Sequence, residues 1–147
     1  MMTTLASTTL ALALNAGPIL EKVYYPGFTH PDYRFSKTCR LYPDRLEVIQ
    51  NLAGSMVTET RGQIDASQLA PLLSNAVIEA INNEDNNLCD GPRTTIKGRS
   101  PDASGDASFL LFTSGGCGSP RQTRSGGAAW LLIQLIDSWC PTDDGPE

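Results

Sequence analysis

Imidazole is almost missing from this sequence: His30 is the only histidine, and it stands between Thr29 and Pro31 in a stretch already broken by Pro26. Any Ser–His, Cys–His or His-ligated metal chemistry would have to use that one side chain. No G-x-S-x-G elbow, no second histidine at helical spacing and no G-x-x-x-x-G-K-[ST] phosphate loop accompanies it. Basic residues are also in deficit, with 11 Lys and Arg against 16 Asp and Glu and a net charge of -5. That is the wrong sign for a protein that neutralises phosphates, so nucleic acid is not an expected partner.

Long apolar runs are lacking too. Residues 1–16, MMTTLASTTLALALNA, carry no charge, but the run is short and interrupted by Thr and Asn, so no membrane span is expected. No cysteine precedes Cys39, which leaves no early thiol for a lipid anchor. The Leu, Ala, Thr and Ser content of the run, with Ala11-Leu12-Ala13 and Leu14-Asn15-Ala16 as small-residue cleavage sites, is that of a signal peptide without the usual basic n-region. A signal peptide or a disordered tail is expected over 1–16, a single domain over 17–140, and a disordered acidic tail over 141–147. One core suits a chain of 147 residues with ordinary, 40% hydrophobic content.

Four cysteines are present, Cys39, Cys89, Cys117 and Cys140, separated by 50, 28 and 23 positions. No C-x-x-C occurs, so neither zinc-ribbon nor redox spacing applies. An even, scattered set suits structural disulfides in an oxidising compartment. Secreted or periplasmic localisation follows as the expectation, with free buried thiols in a cytosolic protein as the competing reading.

Along the chain, residues 17–35 hold five of the ten aromatics between Pro18, Pro26 and Pro31. Proline at that spacing forbids a long helix. The stretch is read as an extended arm over the core, or as a sticky surface for a partner centred on Tyr24, Tyr25 and Phe28. A β-meander follows: Arg34 to Tyr42, Arg45 to Leu52, then Met56 to Arg61. A turn centred on Ala53 sets Glu47 against Glu59 and Arg45 against Arg61, and puts Leu46, Val48, Met56, Thr58 and Thr60 on the core-facing side.

Gln63 to Asn83 carries the strongest helix pattern, a stripe of Leu69, Leu72, Leu73, Ala76, Val77, Ala80 and Ile81. Asp65 and Gln68 form a capping box, Ile64 staples onto Leu69, and Pro71 calls for an irregular first turn or a start at Pro71 itself. Arg93 to Arg99 and Ser108 to Thr113 are read as strands, the second central because FLLF is almost wholly apolar. Ala128 to Trp139 is a second helix, apolar on most sides and so largely buried. The expected fold is α+β, with the order β-β-β-α-β-β-α: an antiparallel meander-type sheet of about five strands packed by two helices and braced by disulfides.

Centring the second hairpin on residue 103 places Cys89 opposite Cys117, which favours the pairs Cys89–Cys117 and Cys39–Cys140. The glycine-rich stretch GGCGSPRQTRSGG at 115–127 is then a connector from a core strand to a buried helix. Arg121 and Arg124 within it also fit a protease-inhibitor loop, which would need to be rigid before contact. Glu47 and Glu59 resemble a glycosidase carboxylate pair, but an arginine diagonal to each would keep both ionised. Calcium loops begun at Asp85 or Asp102 fail at the required glycine and glutamate positions, so no metal site and no cofactor are expected. The function expected is a non-enzymatic binding or structural module for a protein or other extracellular macromolecule, through Tyr24, Tyr25, Phe28, Arg121 and Arg124. An Arg-loop protease inhibitor and an enzyme with a carboxylate-based site are the alternatives.

Overall fold

The segment FSKTCRL alternates without a break: Phe35, Lys37, Cys39 and Leu41 are buried and the residues between them half-buried. That period of two is the pattern of a sheet with one covered face. In a computed structural model, residues 17–27, 35–52, 54–62, 68–85, 91–100, 107–116 and 118–141 are described. The strands are β1 (Leu20–Tyr25), β2 (Phe35–Leu41), β3 (Arg45–Leu52), β4 (Ser55–Gly62), β5 (Ala80–Glu84), β6 (Arg93–Arg99), β7 (Ser108–Thr113) and β8 (Arg121–Ser125). The helices are α1 (Leu69–Ala76) and α2 (Gly127–Trp139).

One eight-stranded sheet results, in the order β4-β3-β2-β1-β6-β7-β8-β5. Every pairing among the described strands is antiparallel. Leu20, Cys39, Leu41, Leu46, Val48, Ile96 and Leu111 from the sheet join Leu69, Leu73 and Ala76 of α1 and Ala129, Leu132 and Ile136 of α2 in a single core. On the other face, polar side chains pair along and across strands, Arg40 with Glu21 at 2.9 Å and Arg45 with Glu47 at 3.2 Å.

The α+β class and the two helices stand, but the sheet has eight strands and not about five. Within the supposed arm, residues 20–25 form β1, a strand between β2 and β6 at the middle of the sheet. Pro18 and Pro26 lie just outside its ends, where no ladder hydrogen bond is lost. Residues 80–83, expected to be helical, belong to β5 (Ala80–Glu84), and the connector after residue 115 contains β8. These two polar strands pair with each other, Ile81 facing Arg124 and Asn83 facing Gln122.

Helix α1 ends at Ala76, well short of Asn83. Beyond it Ile78 is 84% exposed and Ile81 37% exposed, so the apolar stripe does not continue into the core. Pro71 falls in the first turn, where the missing N–H has no intrahelical partner to lose. Gln68 is the N-cap residue and makes no side-chain cap bond, while Ile64 and Asp65 of the expected staple and box lie outside the described residues.

The β3–β4 register is one residue away from the expected one: Glu47 faces Thr60, Val48 faces Glu59 and Leu46 faces Arg61. Because Leu52 pairs with Ser55, the turn holds residues 53 and 54, and Gly54 takes the positive φ of 85° that a two-residue hairpin turn requires. Side-chain facing inverts with such a slip. Leu46 and Val48 are buried as expected, whereas Met56, Thr58 and Thr60 are exposed. Glu47 and Glu59 therefore sit on opposite faces of the sheet, and no carboxylate pair forms between them.

The β6–β7 hairpin is displaced as well. Arg99 faces Ser108 and Gly98 faces Phe109, and a bulge between Ile96 and Lys97 then shifts the register so that Ile96 faces Phe112. FLLF is an interior strand, flanked by β6 and β8, with Leu111 fully buried. Gly98 is buried where α1 presses on the sheet, and a Cβ there would lie 2.9 Å from Leu73 Cδ2 and 3.0 Å from Phe109 Cζ. Gly98→Ala should therefore lower stability by about 1–3 kcal/mol through overpacking, read as a urea midpoint shift at constant m-value.

The chain supplies its own cap for α2. Glu79, in the turn before β5, accepts the Ala129 N–H at 2.8 Å through Oε1, placing a carboxylate on the positive end of the helix. A Cβ on Gly126 would collide with that carboxylate. Glu79→Ala is expected to cost about 0.5–2 kcal/mol in chemical denaturation, and Glu79→Gln less, because the amide oxygen still accepts.

Candidate functional site: a cleft between the last helix and the sheet

Helix α2 has two working faces. Ala129, Leu132 and Ile136 point into the core, while Trp130, Ile133, Gln134 and Asp137, spaced i, i+3, i+4 and i+7, share the adjoining face. That second face looks across a gap at β1, β6, β7 and β8. The sheet side presents Lys22, Thr94, Ile96, Phe112, Arg121 and Thr123, and Pro141 closes one end. The cleft encloses about 530 Å³, within the size range of small-ligand sites. The helix is not buried all round, as its composition implied: Trp130 is 60% and Leu131 44% exposed.

Lys22 sits on the floor. Its register opposite Ile96 of β6 and Cys39 of β2 puts it on the helix-facing side of β1, and it is only 3% exposed. A buried ammonium needs partners, and Nζ donates to Asp137 Oδ1 at 2.7 Å and to the Cys140 carbonyl at 2.8 Å. Lys37, equally buried, donates to the Pro141 carbonyl at 2.9 Å, and Arg61 Nη1 reaches the Trp139 carbonyl at 3.4 Å. Three cations from the sheet thus gather at the C-terminal end of α2, which has no basic residue in its own last turn. They complement the negative end of the helix dipole.

A covalent bond anchors the same point. Cys39 of β2, opposite Lys22 and two residues from Lys37, is disulfide-bonded to Cys140 at the end of α2, with Cα atoms 6.3 Å apart. This is the expected Cys39–Cys140 bond. Cys89 and Cys117 lie outside the described residues.

Beside the cluster, hydrogen bonding from Arg61 at 3.1 Å holds the Glu59 carboxyl below the usual carboxylate range. A lowered pKa favours the folded state above the unfolded value, and that contribution disappears as pH falls through the folded value. The pair is exposed and its effect on stability small. Arg61→Gln should return the Glu59 titration, followed by NMR, upward toward the ordinary value.

The two arginines, either of which fitted the inhibitor-loop reading, have different surroundings on β8. Arg124 is built into the fold: Nε donates to the Leu110 carbonyl at 2.7 Å, and Nη1 to the carbonyls of Val77 at 3.0 Å and Glu79 at 2.8 Å. Arg121, three residues earlier, lines the cleft, its guanidinium over the Phe112 ring at 5.3 Å and, among the described residues, without a side-chain hydrogen bond or ion pair. The inhibitor reading, which needs an arginine free to leave the chain, therefore rests on Arg121 alone.

Tyr24 lies at the open end of β1, half-buried, its ring 6.4 Å from that of Phe35. Tyr25 is 57% exposed, and Phe28 lies outside the described residues. Sequence reasoning missed Lys22, Phe112, Trp130 and Asp137. The spacing of 130, 133, 134 and 137 was the available signal, hidden because both faces of the helix are apolar enough to count as core.

No protein-family model, curated protein or solved structure matches this chain.

Proposed function

We propose that the chain is an exported, non-enzymatic binding module that holds its partner in the cleft between α2 and the sheet. The composition of the cleft carries this reading. Apolar walls from Ile96, Phe112, Trp130 and Ile133 surround a few convergent polar groups, the arrangement by which binding sites gain both area and orientation. Trp130 is the natural anchor, a large apolar side chain 60% exposed at the rim. The disulfide and the signal-like character of residues 1–16 support export, since such bonds persist in oxidising compartments. No helix among the described residues is long and apolar enough to cross a membrane.

The test has two arms. Partners captured by the purified chain from the native extracellular or periplasmic fraction should be lost with Trp130→Ala and should shield Trp130 from acrylamide quenching in a Trp139→Phe background. A partner retained equally by Trp130→Ala would remove the cleft from the function. For export, native material alkylated without prior reduction should leave Cys39 and Cys140 unlabelled; labelling of all four cysteines would overturn it.

A further inference from the structure

Resting on the cleft reading above, we infer that the ligand presents a carboxylate on an apolar body, the carboxylate being met by the Lys22 ammonium and the Arg121 guanidinium. An ammonium has three N–H donors. Lys22 uses two of them, on Asp137 and the Cys140 carbonyl, and the third has no partner among the described residues although the side chain is 3% exposed and lines the cleft. A ligand that closes over it must bring an acceptor, because a buried donor left unmade is costly.

Arg121 adds five more donors, none used among the described residues, and its seat over Phe112 biases the guanidinium toward the cleft before a ligand arrives. Among the lining residues Lys22 and Arg121 outweigh Asp137 by one positive charge. That surplus matches a monoanion. A cationic ligand would compete with Lys22 for the one carboxylate, and a purely apolar one would desolvate both cations without replacing water. The walls of Trp130, Phe112, Ile96 and Ile133 then take the apolar body. A small aromatic or aliphatic acid and the C-terminus of a peptide ending in a large apolar residue share this chemistry.

The experiment uses the full chain carrying Trp139→Phe, so that Trp130 is the fluorescent reporter, with amide NMR shifts of cleft residues as the second readout. The probes are 3-phenylpropionate and 3-phenylpropionamide, and acetyl-Ala-Ala-Phe with a free or an amidated C-terminus. Each acid should bind at least tenfold more tightly than its amide and shift Lys22, Thr94 and Trp130. Arg121→Gln should erase most of that difference with little change in the thermal midpoint, since the stacking of Arg121 on the Phe112 ring is an exposed contact of small energy. Tighter capture of the tripeptide acid assigns the peptide terminus as the source, and tighter capture of phenylpropionate the free acid. Equal binding of acids and amides overturns the inference and leaves the cleft reading standing. No shift in any cleft residue with any probe also overturns it, whereas the cleft reading itself falls only if Trp130→Ala leaves capture of the native partner unchanged.

Discussion

Replacing both Cys39 and Cys140 with alanine should lower the stability of the chain more than any other substitution considered. The bond closes a separation of 101 residues. A loop of that size gives an upper figure of about 4–5 kcal/mol for the constraint removed from the unfolded chain. At roughly 2–4 °C per kcal/mol for a domain of this size, a thermal midpoint lower by about 10–15 °C is expected. Both sulfurs sit in the core, so their removal leaves a small void that adds to the loss.

The local effect should be milder than the global one. Lys22, Lys37 and Arg61 still grip the carbonyls of Cys140, Pro141 and Trp139 when the bond is absent. Native-state hydrogen exchange in the last turn of α2 should then change little under strongly folding conditions, while global unfolding in urea comes much earlier. Rapid exchange confined to that turn, with an unchanged urea midpoint, would show the bond to be a local clip. The outcome reaches the cleft as well, because Asp137 and Pro141, part of its wall, flank the anchored Cys140.

Five strands and the last helix were legible, most of them because they carry a pattern that their environment demands, though β4 is exposed throughout. β2 buries every second residue, β7 is apolar enough to lie inside the sheet, and α2 repeats apolar residues at helical spacing. What escaped notice did so for a shared reason: polar residues stand where a pattern search looks for apolar ones. In β1 the buried side reads Leu20, Lys22, Tyr24, and the lysine hides an alternation that is physically intact.

β5 and β8 have no apolar face at all. They exist as strands because β7 offers a backbone ladder to β8 and β8 offers one to β5, reinforced by Gln122 donating to Asn83 at 2.8 Å. Ladder hydrogen bonds leave no trace in hydrophobicity. The two register errors have a comparable origin. A hairpin centre guessed from turn residues is uncertain by one position, and a bulge such as that at Ile96/Lys97 adds another. The site was less legible than the fold for the same reason, since Lys22 had to be placed on the buried side of β1 before its pairing with a residue 115 positions away had any meaning.

That pairing leads to the second large effect, an asymmetry between its two partners. Asp137→Ala should cost more than Lys22→Met. The ammonium is 3% exposed and the carboxylate 44%, so the group left behind differs in each case. Without Asp137, the Lys22 side chain loses its ion-pair partner in a nearly closed site, with the Cys140 carbonyl as its remaining acceptor among the described residues. Breaking a fully buried pair in this way costs about 3–5 kcal/mol, and access of water through the cleft should bring the figure down to about 2–3.

Lys22→Met keeps much of the volume, lets the half-exposed Asp137 turn to solvent, and leaves chiefly the Cys140 carbonyl unsatisfied, for about 1–2 kcal/mol. Urea unfolding of the two variants and of the double variant, treated as a cycle, separates the terms. The double variant should resemble Lys22→Met alone, since removing the carboxylate matters only while the buried charge is present. If instead the losses add, Lys22 and Asp137 are neighbours without being partners, and the floor of the cleft is held by the Cys140 carbonyl and the disulfide.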